Sequence, residues 1–252
     1  MPAPIERFSN RVADYVRYRP DYPAALIDDL ATRGLLHADA SWADVGAGTG
    51  IWTRQLAPLV KQVFAVEPNP DMRAAAETFL AGLPNVRLAG GAAEATGLPG
   101  ASFDVVTAAQ AFHWFDHAAF SRECRRLLRP GGRVVLVWNE RETDTTPFLR
   151  GYEQVLLEHA GDYREVNHQN ITPEMFAAFF GPEGYELIEH PQVQWFDYAG
   201  LAGRLLSSSY VPTADHPRHP AMMAALRACF DATAEDGRVA FGYMTRAYLG
   251  TV

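Results

Sequence analysis

Short runs of apolar residues alternate with stretches in which apolar positions recur every three or four residues through most of the first 140 residues. The recurring stretches read as helices with one buried face, and the short runs as strands. Residues 5–18 predict a helix, broken by the two prolines of Arg19-Pro20-Asp21-Tyr22-Pro23, each of which disfavours helical backbone in the residue before it. Pro23 opens a second helix, 23–34, closed by Gly34. A strand at 41–45 and a helix at 51–60 follow, then the strand QVFAVEP stopped by Pro68, and a helix over NPDMRAAAETFLAG. NVRLAGG and SFDVVTAAQ read as two further strands. Residues 116–129 form a helix with Phe120, Cys124, Leu127 and Leu128 on one stripe, and GGRVVLVWN a fifth strand behind a Pro-Gly-Gly turn.

Near-continuous Val/Ala/Leu strands separated by helices imply a mostly parallel sheet covered on both faces. Right-handed crossovers reduce the topology to an α/β, doubly wound sheet. From residue 141 the pattern changes. Helices are predicted near 146–160, 173–180, 199–208 and 217–235, while YELIEHPQVQWFDY and RVAFGYMTRAYLGT alternate as antiparallel strands do. Those two segments are expected to pair as a hairpin-like edge joined by a long helical excursion. With no Gly/Ser-rich linker, one domain is expected: a helical lid (1–37), a ligand-binding core (38–140), an insertion (141–235) and a terminal strand (236–252).

The stretch SWADVGAGTG places Gly46, Gly48 and Gly50 where a strand turns into a helix. Glycines there permit positive φ and a close approach to the main chain, and the helix start offers unpaired N–H groups. Glu67 stands 21 residues after Gly46, at the end of the next strand, placed to accept hydrogen bonds from a ribose diol. The spacing is G-x-G-x-G, with Ile51 where the third glycine of a dinucleotide fingerprint would fall, and no G-x-x-x-x-G-K-[ST] occurs. A ligand containing a nucleoside without a pyrophosphate fits; a nucleotide-dependent oxidoreductase is the alternative.

Composition narrows the picture. The 252 residues carry 22 Lys+Arg against 30 Asp+Glu, a formal charge of −8, which disfavours a broad nucleic-acid footprint. Two cysteines far apart give no disulfide framework and fit a reducing cytosol. Charges run through residues 1–23 with no apolar core, and no apolar stretch nears the roughly 20 residues of a membrane span, so no secretion signal and no membrane partner are expected.

ADVGAGTG, VEPNPDM, GAAEATGLPGASFDVVTAAQAFHWFD and LLRPGGRVVLVWN, in that order over about residues 38–140, resemble the successive motifs of class I S-adenosylmethionine-dependent methyltransferases, nearest to the small-molecule branch labelled type 11. VADYVRYRPDYP is similar to the N-terminal segment that covers the cofactor in that branch. The resemblance implies a Rossmann-like methyltransferase fold, S-adenosyl-L-methionine as cofactor, and roles for matching positions. Gly46, Gly48 and Gly50 would line the methionine portion, with Asp44 supporting the loop. Glu67 would hold the ribose hydroxyls, Pro68 and Met72 would flank the adenine, and Ala93 and Glu94 would lie beside its edge. Gln110 and His113 would sit near the methionine and the methyl group, and Tyr18 and Arg19 would close over the cofactor, with Arg19 near its carboxylate. Ala92 departs from the aspartate many members carry before the Ala-Glu pair, which shifts adenine recognition toward backbone groups and Glu94.

Methyl transfer from a sulfonium needs orientation of the nucleophile more than activation of the electrophile, and a base only if a proton must leave. His113 is the candidate base or substrate contact, with a packing histidine as the alternative. Trp114, Asn139 and Arg141, after strands four and five, are candidate acceptor contacts, although a solvated loop is the plainer reading of Asn139 and Arg141. Trp195, Phe196 and Tyr210 either roof a pocket or pack in the core. His216 and His219 form an H-x-x-H with no third ligand, so no metal is assigned. The absence of a [DN]-P-P-[YF] tetrapeptide after strand four leans toward O-methylation. The expectation is a cytoplasmic methyltransferase, monomer or homodimer, acting on a small molecule and not on nucleic acid; a protein that binds the cofactor without transferring methyl is the other alternative.

Overall fold

The computed structural model describes residues 17–161, 163 and 171–252. The helix predicted over 5–18, and with it most of the expected lid, lies outside the described residues apart from its last two positions.

Seven strands make one sheet: β1 (Ser41–Val45), β2 (Gln62–Val66), β3 (Val86–Ala89), β4 (Phe103–Ala109), β5 (Leu128–Arg141), β6 (Tyr185–Phe196) and β7 (Val239–Gly250), in the order β3-β2-β1-β4-β5-β7-β6. The first five pair in parallel, with the order reversing between β1 and β4; β7 runs antiparallel to β5 and β6. The continuous apolar runs are explained by burial on both faces. Along β5, Val134, Leu136 and Trp138 enter one core while Val135 and Val137 enter the other. Each such side chain contributes roughly 1.5–3 kcal/mol on leaving water.

The connecting helices start where their caps stand. α1 (Ala24–Thr32) begins at Pro23 and is closed by Gly34 at φ +74°. α2 (Ile51–Leu56) follows the glycine loop. Asn69 caps α3 (Pro70–Phe79), its side-chain oxygen accepting from the Asp71 and Met72 amides, and Pro70 fills the first helical position. Asp116 caps α4 (His117–Leu127), and Thr146 and Thr172 cap α5 (Pro147–His159) and α6 (Pro173–Phe180). α7 (Tyr198–Leu206) and α8 (His219–Thr233) form the excursion between β6 and β7, and with α5 they enclose a third core around Tyr152, Leu201, Leu205, Leu226 and Phe241.

Two expectations change. The fifth strand begins earlier than Gly131 because Leu128 pairs with Phe103 across an irregularity, and the Pro-Gly-Gly turn, with Gly131 at φ +82°, becomes a kink within the strand. Trp195 neither roofs a pocket nor packs in a core: it is 59% exposed, because β6 is the edge strand and its odd positions, Leu187, Val193 and Trp195, face outward. Phe196 is in the third core, and Tyr210 packs against Tyr163 with ring centroids 5.0 Å apart. No helix among the described residues is long and apolar enough to cross a membrane.

Candidate active site

The carboxyl ends of the parallel strands, where the strand order reverses, open onto a cavity of about 280 Å³, close to the small end of ordinary ligand pockets, about 300–1,000 Å³. Its floor is main chain. The Gly46 and Ala47 amides donate to the Val66 carbonyl at 2.8 and 3.0 Å, tying the loop after β1 to β2. Gly46, Gly48 and Gly50 all hold positive φ, at +71°, +57° and +88°. Their neighbours differ. A Cβ on Gly46 would stand 2.6 Å from Ala111 Cβ, and one on Gly50 would stand 2.6 Å from Leu80 Cδ1. Part of the demand for glycine is therefore set by the protein's own packing. Gly46 and Gly48 line the cavity; Gly50 is corrected from wall to helix cap, because it faces Leu80 at the start of α2.

Glu67 follows β2 and is 8% exposed at the cavity wall. Its Oε2 accepts from the Gly48 amide and its Oε1 from the Asn69 amide, each at 2.8 Å. Each oxygen keeps a further lone pair for a ligand. Burial raises the pKa of this carboxyl, against the two amides that lower it. Asp44 lies beneath the loop, fully buried and outside the wall. Its Oδ2 accepts from Thr53 Oγ1 at 2.6 Å, Oδ1 has no partner among the described residues, and burial lifts its pKa to about 7. It supports the first turn of α2 from below.

Pro68, Asn69, Met72, Ala93 and Glu94 complete this side. Glu94 Oε1 also accepts from the Asp116 amide at 2.9 Å, tying the wall to α4. Gln110 stands at φ +57°, a strained conformation for a side chain of its kind, and its Nε2 donates to the Asn139 carbonyl at 3.1 Å. The residues present suit a nucleoside joined to an amino acid: a carboxylate with spare acceptor capacity, bare main chain beside it, and an apolar slot with Met72 and Ala93 in its lining.

The match to known proteins agrees. A methyltransferase-domain family model matches residues 43–136. An uncharacterized methyltransferase of Mycobacterium tuberculosis is 35% identical over 212 residues, 82% of this chain and 78% of that protein. The chain belongs to the S-adenosylmethionine-dependent methyltransferases. An uncharacterized methyltransferase-like protein of Schizosaccharomyces pombe is 35% identical over 162 residues, so the match spans 64% of this chain and 60% of that relative's length. Among solved structures, a protein from Anaeromyxobacter dehalogenans assigned as a type II methyltransferase has a TM-score of 0.63 at 27% identity, over 93% of this chain and 98% of the other.

In this methyltransferase the remaining candidates divide. Arg19, Trp114 and Asn139 line the cavity; Tyr18, His113 and Arg141 do not. The Tyr18 ring rests on Gly203 of α7, where an added Cβ would fall 2.0 Å from its Cε2, so it clasps the insertion instead of the cavity. His113 is turned to the sheet, its Nδ1 accepting from Trp138 Nε1 at 3.5 Å, because the short 3₁₀ turn Phe112–Trp114 sends Phe112 and His113 toward the core side and Trp114 toward the cavity. Arg141 is engaged within the insertion: it pairs with Glu153, donates to Tyr163 Oη at 2.9 Å and lies over the Tyr152 ring. Asn139 is a strut. Its Nδ2 donates to the Asp21 carbonyl, and its Oδ1 accepts from Gln192 Nε2 and Thr245 Oγ1 at 2.7 and 2.6 Å. His219 Nδ1 sits 3.2 Å from the Pro212 carbonyl, and His216 Nδ1 accepts from the Arg218 amide.

Sequence reading missed Asn69, Tyr22, Arg204 and Tyr243 on the wall. For Arg204 a signal existed. In YAGLAGRLL it interrupts the stripe made by Leu201 and Leu205, the residues that bury α7, and a charge on a buried stripe asks for an explanation.

Proposed function

We propose that this protein transfers a methyl group from S-adenosylmethionine to a small-molecule acceptor in the cytoplasm, on oxygen. The observation that carries the reading is a single cavity whose lining takes in the glycine loop and Glu67 together with Trp114, Arg204 and Tyr243. Cofactor and acceptor would then share a single chamber, as in-line displacement requires. When bound, S-adenosylmethionine supplies a methyl group on a positively charged sulfur.

Glu67 would hold the ribose hydroxyls, Gly46 and Gly48 the amino-acid portion, Pro68, Met72, Ala93 and Glu94 the adenine, and Arg19 the carboxylate. Gln110 would lie near the methionine and the methyl group, and Trp114 would contact the acceptor. The chain's own contribution is to orient and to exclude water, effects that together are worth roughly 7–11 kcal/mol when alignment is good. No proton transfer is assigned to His113, which faces Trp138. A screen of metabolites with the purified protein and S-adenosylmethionine, read by mass spectrometry for a 14-dalton gain, tests the reading. A methylated oxygen is the expected result; saturable cofactor binding with no product from any acceptor would replace transfer by binding alone.

A further inference from the structure

Arg204 is 5% exposed, yet no carboxylate among the described residues pairs with it. Its Nε donates to Tyr243 Oη at 3.0 Å and its Nη1 to Ser208 Oγ at 3.3 Å. The Phe241 and Tyr243 rings lie 5.3 and 5.9 Å from its central carbon. A guanidinium carries five N–H donors and cannot shed its charge in a protein. Two donors are used here. Nη2 has no partner among the described residues, and Arg204 is one of the residues that line the cavity. Burying a charge is costly unless a counter-charge is present, and within the described protein none is.

Two further facts give the position meaning. Tyr243 Oη accepts from Arg204 and donates to Gln194 Oε1 at 3.0 Å, so the guanidinium plane is held from behind. Arg19 Nη2 also donates to Ser208 Oγ, at 3.4 Å, so two cavity-lining guanidiniums converge on one hydroxyl. An anion in the cavity would supply Arg204 with the counter-charge it lacks among the described residues. Across the sheet, Arg204 lies on the far side from the glycine loop: it is held by Tyr243 on β7, paired with Arg141 of β5, whereas the loop and Glu67 follow β1 and β2.

We propose that Arg204 anchors a carboxylate on the methyl acceptor, and that the substrates of this enzyme are small organic acids. The fork of Nη1 and Nη2 suits a planar carboxylate, which it grips with two parallel hydrogen bonds. This rests on the reading of the chamber as a methyl-transfer site. It adds that the acceptor enters as an anion, seated at the β7 side while Arg19 serves the cofactor.

The test is equilibrium binding to protein first saturated with S-adenosylhomocysteine, so that failure of the cofactor reading shows in the first titration and failure of this one in the second. The probes are benzoate, hexanoate, succinate and citrate, each against its neutral amide, with inorganic phosphate as a separate arm. At least one carboxylate is expected to bind ten-fold or more tighter than its amide. In Arg204→Gln that preference is expected to disappear while affinity for S-adenosylhomocysteine stays within three-fold. Tyr243→Phe, which frees the guanidinium from its rear support, is expected to weaken the same carboxylate several-fold and serves if Arg204→Gln does not fold. Equal binding of acid and amide, binding of no carboxylate, a preference for phosphate over every carboxylate, or an equal loss of S-adenosylhomocysteine affinity in Arg204→Gln would overturn the proposal. The last would hand the guanidinium to the cofactor.

Discussion

The two sides of the chamber are built from different materials. On the β1–β2 side, backbone does the work: amides tied to the Val66 carbonyl, glycines at positive φ, and one carboxylate whose oxygens accept from main-chain N–H groups. On the β7 side, side chains do it: a buried guanidinium from α7 held by the Ser208 hydroxyl and by Phe241 and Tyr243 of β7, the latter through its ring and its hydroxyl. Main chain binds what every member of a family shares, because its geometry follows from the fold. Side chains are free to vary, and they are where one acceptor is told from another. Breaking one side should leave the other standing, and each experiment below asks whether it does.

Gly46→Val is the severest break. The first added carbon would stand 2.6 Å from Ala111 Cβ, in a backbone conformation a β-branched residue avoids. Overpacking and strain together are expected to cost about 4–5 kcal/mol, lowering Tm by about 10 °C or more and abolishing measurable binding of S-adenosylhomocysteine in calorimetry. A variant that binds normally would show that the loop is not the cofactor floor.

Asp44 gives the next effect, through pH. Its carboxyl titrates near 7 in the folded protein because burial disfavours its charge, and near 3.9 when unfolded. Between those values the folded state holds the proton and the unfolded state does not. The stability this confers is complete below about pH 4 and is lost as pH rises to about 7, on the order of 4 kcal/mol in all. Burial shifts Glu67 in the same direction. Glu123, held down to about 2 first of all by Arg126, works oppositely and below this window. Asp44→Asn is expected to flatten the profile of Tm against pH between 4.5 and 7.5; a wild-type profile that rises across that range would contradict the assignment.

Glu67→Ala sharpens the comparison within the backbone side. It removes the acceptor for two amides and, on the proposed reading, for the ribose, so affinity for S-adenosylmethionine should fall ten-fold or more, about 1.5–3 kcal/mol, while any preference for carboxylates at Arg204 is retained. Unchanged calorimetric affinity would remove the ribose contact.

Much of this was legible along the chain. Strand apolarity, the helices that start at Asn69 and Asp116, and the alternation along β6 and β7 all follow from patterns within a few residues, and burial on one or two faces writes such patterns directly. The β1–β2 wall was legible for the same reason: Gly46, Gly48 and Glu67 lie in one β-α-β unit. The β7 wall was not, because Arg204 meets Tyr243 across 39 residues and Asn139 meets Thr245 across 106. No local window records such a meeting. Arg141 shows the converse. Its place after β5 suggests an acceptor contact, but Glu153 and Tyr163, 12 and 22 residues further on, hold it inside the insertion.

His113 is where position and geometry part, and it carries the smallest predicted effect. It occupies the segment after β4 that faces the methyl group in the resembling family, yet its Nδ1 accepts from Trp138 and its ring tilts against Trp114 at 4.8 Å between centroids. Held there, it touches Trp114 of the cavity lining without lining the cavity itself. His113→Ala is therefore expected to leave cofactor affinity within two-fold and turnover within three-fold. A general base removed from a proton-transfer step would cost 10²–10⁴-fold instead. A loss of that size at unchanged Tm would place the imidazole in the reaction and would mean that the turn Phe112–Trp114 rearranges when the chamber fills.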